Sequence, residues 1–123
     1  MNFKKTNAIL FYLFFSILSS FGQNNSFFKA VDACAKTGEL IILKDKVVSV
    51  EYGRSGQVYL NFGKPFPHQD FAIVIFKETL EEFKKINPLI LQDREIKVKG
   101  EVSEYQGNCQ MIIKTEEQFI IEK

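Results

Sequence analysis

Residues 53–76, GRSGQVYLNFGKPFPHQDFAIVIF, leave the chain few choices of fold. Within them Val58, Leu60 and Phe62 alternate with Tyr59 and Asn61, the period-two pattern of a strand with one buried face. Gly63, Pro65 and Pro67 then bar a helix or a regular ladder, so residues 63–68 must turn or loop. Residues 71–76 are almost wholly apolar and rich in β-branched and aromatic side chains, as a central strand requires. The rest of the chain is arranged to support this strand–loop–strand unit.

Residues 1–22 read as a secretory leader. Lys4 and Lys5 make a basic start, an apolar run from Ala8 to Leu18 is broken only by Ser16, and Ser20 and Gly22 place small residues before a cut ahead of Gln23. The run falls short of the roughly 18 apolar residues that span a bilayer, which favours a cleaved signal over a retained anchor. No cysteine stands near the cut, so a lipoprotein anchor is not expected. Residues 23–123 then form one exported domain, periplasmic or extracellular, with no membrane attachment after cleavage.

Charge limits the choice of partner. The whole chain has 16 Lys+Arg against 15 Asp+Glu, and losing Lys4 and Lys5 leaves 14 against 15. A protein that holds nucleic acid by neutralising phosphates usually shows a basic excess, so such binding here would need a local patch. Cys34 and Cys109 both survive the cut. In an exported chain an even pair favours a disulfide, the alternative being two buried free thiols. One His with two Cys makes a poor metal set, so no metal or other cofactor is expected.

Taken in order, residues 26–37 suggest a short helix capped by Ser26, with Phe27, Ala30, Val31 and Cys34 on one stripe and Gly38 in the left-handed position after it. Residues 39–52 form a long strand interrupted at Lys44-Asp45-Lys46, where a bulge or bend would let it serve both sides of a small barrel; two strands joined by a turn there is the alternative. Residues 53–56 make a glycine-bracketed turn. Thr79 and Glu82 fit a capping box for a helix that ends at Asn87-Pro88. Residues 94–105 and 109–114 make a hairpin, and Phe119, Ile120 and Ile121 pack down in a tail.

Three strands, a short helix, then a two-strand hairpin is the arrangement of the OB-fold, a five-stranded Greek-key barrel, here with an added N-terminal helix. An open α+β sheet is the alternative. The residues Lys46-Val47-Val48-Ser49-Val50, Arg54-Ser55-Gly56, Tyr59-Leu60-Asn61-Phe62-Gly63, Pro67-His68-Gln69, Phe71 and Val74-Ile75-Phe76, with the later Val98-Lys99-Gly100-Glu101-Val102 and Tyr105-Gln106-Gly107, carry a resemblance. The chain resembles, over most of residues 30–119, a family of small bacterial OB-fold domains assigned to nucleic-acid binding, found alone in exported proteins or fused to thermonuclease-like domains. It departs from that pattern at Asp45, His68 and Asn108-Cys109.

OB-folds bind extended polymers on the outer face of strands two and three and the neighbouring loops, with aromatic rings stacking and Lys or Arg following the backbone. That places Tyr59 and Asn61 on the ligand face, Arg54 and Lys64 at its two ends, His68 in the loop, and Tyr105 on the second hairpin. The plainer readings are a tyrosine half-covering the sheet, an amide bonding the backbone of residues 63–66, solvated cations and a loop histidine. Catalysis is not expected. The chain has only Arg54 and Arg94, no grouped acids for a nuclease metal, no phosphate-binding glycine loop and no nucleophile elbow. The expectation is a monomeric binding module for single-stranded nucleic acid or another extended polymer, or else for a protein or envelope component on the same face.

Overall fold

A computed structural model describes residues 26–121; the leader expected at residues 1–22 lies outside the described residues. The chain is β-rich, as expected, with seven strands in one hydrogen-bonded order. They are β1 (Phe27–Phe28), β2 (Leu40–Lys46), β3 (Ser49–Tyr52), β4 (Val58–Phe62), β5 (Phe71–Ile75), β6 (Glu95–Tyr105) and β7 (Asn108–Ile113). Their order is β1-β2-β6-β7-β5-β4-β3, so the ladder stays open, with β1 and β3 at its ends. The β1–β2 and β5–β7 pairs are parallel and the rest antiparallel.

The break in the long strand falls at Val47-Val48, not at Lys44-Asp45-Lys46. Those three residues form regular ladder with Lys97, Ile96 and Glu95. At Val47 the backbone N–H donates to the Arg94 carbonyl at 2.9 Å, and its carbonyl accepts from the Asp93 amide at 2.7 Å. One residue later, the Val48 N–H donates to the Asn61 carbonyl at 2.8 Å. Neighbouring residues therefore bond to the chain leading into β6 and to β4, at the point where β2 passes into β3. The Val47 side chain is fully buried at this joint.

The pattern read in β4 holds: Val58, Leu60 and Phe62 are all buried. They pack with Phe71, Ile73 and Ile75 of β5, Val98 and Val102 of β6, and Met111 and Ile113 of β7. Each such side chain contributes about 1.5–3 kcal/mol by leaving water. Strand β6 leaves β2 after Glu101, opposite Leu40, and takes up β7 from Val102, opposite Met111, just beyond Gly100. A Cβ on Gly100 would meet Met111 Cγ and Sδ at 2.7 Å, so the glycine leaves room for that side chain at the corner.

The N-terminal segment differs from expectation. Phe27 and Phe28 pair with Ile42 and Leu43 as a strand, and the helix covers only Ala30–Ala33, followed by a 3-10 turn at Cys34–Lys36. Ser26 does not cap it: the Ala30 amide donates instead to the Asp45 carboxylate at 3.0 Å. Ala30 and Ala33 face inward while Val31 is exposed, so the expected stripe is not the packed one. Gly38 takes its left-handed conformation (φ 88°), as read. Cys34 and Cys109 form a disulfide, Cα atoms 5.5 Å apart and 75 residues apart in sequence. In the chain-entropy account, closing a loop of that length stabilises the fold by about 4 kcal/mol. The core and this bridge lie between Ala30 and Phe119, so a chain starting at Gln23 carries every core contact described.

The second helix is one turn, Lys77–Leu80, with Phe76 at its cap and no side-chain cap bond. Thr79 lies inside it, so the expected capping box does not form; the capping box found is Thr115 with Gln118. A helix this short cannot stand alone. The chain after it is held by the Glu116 carboxylate, which accepts from the backbone amides of Lys84 (3.0 Å), Lys85 (2.7 Å) and Ile86 (2.8 Å). Phe83 meets Phe119 edge-on at 5.8 Å, and Leu80 and Ile86 pack against the core beside it.

Burial pushes the Glu116 pKa up, but the three amides and the nearby Lys85 charge outweigh that and hold it below its ordinary value. The stabilisation is therefore complete above the ordinary glutamate range and is lost as pH falls through the lower folded value. Glu116→Ala should lower the melting temperature at neutral pH and narrow its difference from that at pH near 3, followed by circular dichroism. Melting curves identical to the parent at both pH values would contradict the staple.

Candidate functional site

The side of β4 and β5 turned from the core carries two rows of side chains set by the ladder. One runs Glu51, Tyr59, Val74, Ile112; the other runs Ser49, Asn61, Ala72, Gln110, Ser103. Period-two alternation puts Tyr59 and Asn61 on this side, as the pattern predicted.

Tyr59 is half-buried, and its hydroxyl accepts from Gln57 Nε2 at 3.0 Å. Gln57 Oε1 accepts in turn from the Ser55 amide at 3.0 Å, and the Gln57 carbonyl accepts from Gly53 N–H at 2.8 Å. A Cβ on Gly53 would overlap the Gln57 side chain, so glycine there leaves room for Gln57 in this position. Gln57 thus ties the ring to the turn that carries Arg54. Sequence reasoning missed Gln57, although its place two residues before Tyr59 on the same face was the available signal.

Asn61 requires a correction. It has the expected parity but is only 1% exposed. Its Nδ2 donates to Ser49 Oγ at 3.2 Å, the residue directly opposite in the ladder, and not to the backbone of residues 63–66. A buried amide spends its bonding on that neighbour.

The remaining candidates divide between the two ends of the face. Because Asn61, Ala72 and Gln110 align across β4, β5 and β7, the β6–β7 turn with Tyr105 lies at the end where β4 enters residues 63–70. Lys64, His68 and Tyr105 are exposed there, with Phe66, a ring not singled out from the sequence, 65% exposed at the loop tip. The loop is pinned by His68 N–H to the Pro65 carbonyl and Asp70 N–H to the Phe62 carbonyl, both 2.9 Å. Arg54 stands exposed at the opposite end, about 17 Å away along a five-residue strand. Glu51, also exposed, sits beside Tyr59. The arrangement is a sheet face on which Asn61, Ala72 and Val74 are buried, with one half-buried ring, an arginine at one end, and a lysine, a histidine and two aromatic rings at the other. No group of three or more His, Cys, Asp or Glu able to hold a metal ion occurs among the described residues.

No family model matches the chain, and no curated protein matches it. Among solved structures it is similar to one described as an aspartyl-tRNA synthetase from Leishmania major Friedlin, with a TM-score of 0.51 and 6% sequence identity. The match covers 76% of this chain and 20% of that one, so the chain spans about a fifth of its neighbour's length. At that identity the likeness is one of fold.

Replacing Asn61 by Ala strands the Ser49 hydroxyl and opens a gap. It should cost about 1–3 kcal/mol in urea denaturation. Unchanged stability would return Asn61 to the list of surface residues.

Proposed function

We propose that the protein is an exported, non-enzymatic, monomeric OB-type module that binds single-stranded nucleic acid along the outer face of β4 and β5. The pairing order supports the architecture. Without the two-residue β1, the sheet runs β2-β6-β7-β5-β4-β3, and its two end strands are one stretch of chain joined at Val47-Val48. Counting them as halves of one bent strand gives a five-stranded Greek-key arrangement with one parallel closing pair. The resemblance of residues 46–76 to small bacterial nucleic-acid-binding OB domains points the same way. The fold neighbour is named for tRNA, in accord with a nucleic-acid ligand. Export is supported by the disulfide and by the leader pattern.

The observation that carries the reading is the setting of Tyr59, a ring held by Gln57 at the middle of a face with cations at its ends. Bases stack on such a ring whatever their identity, while Arg54 and Lys64 contact phosphates and His68, Tyr105 and Phe66 flank the path. With two cations engaged, affinity should fall with salt at a log–log slope of about −1.4. Tyr59→Ala should weaken binding of a short single-stranded oligonucleotide by about 1–3 kcal/mol while circular dichroism shows the variant still folded, with binding read by fluorescence anisotropy. Equal affinities of parent and variant would overturn the assignment.

A protein or envelope component on the same face is the second reading, favoured by the near-neutral charge and by Glu51 beside Tyr59. It predicts no oligonucleotide binding and a shallow salt dependence with the true partner.

A further inference from the structure

The other half of the sheet presents a different surface. Strands β2 and β6 are paired over their first seven residues, and their outward positions alternate apolar groups with lysines. Ile42 stands against Lys99, Lys44 against Lys97, and Lys46 against Glu95, while Leu43, Val98 and Gly100 between them are buried. Four lysines thus share this face with two carboxylates, Glu95 and Glu101. Beside them lies Phe27 of β1, 45% exposed, with the Lys97 ammonium 4.5 Å and the Lys44 ammonium 5.4 Å from its ring centre. On the far edge, the Ile120 amide donates to the Lys97 carbonyl at 2.8 Å and extends the face, with Ile120 and Ile121 exposed.

From this we infer that the β1–β2–β6 face docks on the surface of an anionic phospholipid bilayer. Three features select that occupant. On a protein near neutral overall this patch sets four lysines against two carboxylates, with Glu95 3.9 Å from Lys44, and each lysine near an anionic bilayer strengthens binding about fivefold. The exposed apolar groups are chiefly aliphatic (Leu40 is 66% and Ile121 61% exposed), and aliphatic side chains cannot stack bases but do enter the lipid boundary. Lysines lay their stems along such a surface and lift their charge to the head groups. Phe27, on the strand at the open end of the ladder, adds an exposed ring to the same surface. The leader reading alone expects no membrane contact after cleavage; this surface supplies a peripheral one that needs no anchor. It stands independently of the Tyr59 face.

The test is flotation of residues 23–123 with vesicles of phosphatidylcholine, with and without phosphatidylglycerol. The chain should float with the phosphatidylglycerol vesicles, remain unbound with phosphatidylcholine alone, and be released by salt. Lys44→Gln, Lys97→Gln and Lys99→Gln should each weaken binding about fivefold. Phe27→Ser should weaken it further, and Tyr59→Ala should leave it unchanged. Lys99 is exposed on the face, so its variant keeps the test open should Phe27→Ser fail to fold. Equal behaviour with the two vesicle types, or binding indifferent to all three lysines, would overturn the inference. So would variants that lose oligonucleotide binding while vesicle binding is absent throughout, which would make the face a nucleic-acid surface.

Discussion

The structure turns on two adjacent peptide groups. Val47 exchanges hydrogen bonds with Asp93 and Arg94, at the start of β6, and Val48 donates to Asn61 of β4. β6 and β4 stand three places apart in the hydrogen-bonded order, so these bonds tie two separate parts of the sheet to one joint. With them, the inward residues of β4, β5, β6 and β7 face one another around a shared core. Val47 is buried because it lies where those walls meet.

Two long-range ties fasten chain segments beside that core. At one, the Cys34–Cys109 bridge fastens the N-terminal turn to β7, where Ala30 and Ala33 pack inward. At the other, Glu116 gathers three amides of residues 84–86 and sets Phe83 against Phe119. Neither short helix is capped by the side chain of its own N-cap residue. Their order comes from these contacts with distant parts of the chain, as expected where isolated helices of this length are unstable.

Much of this was legible in the sequence, and the rest has a common cause. The alternation in β4, the continuous apolar run of β5, the left-handed Gly38, the β6–β7 hairpin and the cysteine pairing all follow from local pattern or simple chemistry. The start of the first helix was misplaced because its cap is Asp45, 15 residues away. The second helix was misread as capped by Thr79 because the group that orders its far side, Glu116, lies about 30 residues on. The strand break was sought at the polar Lys44-Asp45-Lys46, yet it falls in an apolar pair whose backbone changes partners, and side-chain pattern carries no trace of that. For the candidate site, parity put Tyr59 and Asn61 on the correct side, but exposure depends on cross-strand neighbours, and Ser49 takes up Asn61. The Phe27–lysine face went unseen because Phe27 was read as helical.

The Val47-Val48 joint also lies between the two surfaces, with the Tyr59 face on β4 and β5 and the Phe27 face on β1, β2 and β6. Its most direct test is native-state hydrogen exchange measured residue by residue by NMR. If the joint unites the fold, the amides of Val47 and Val48 exchange only through global unfolding, with the same free energy as that of Ile73 in β5. If they exchange freely while β5 stays protected, the two halves open independently and the account fails.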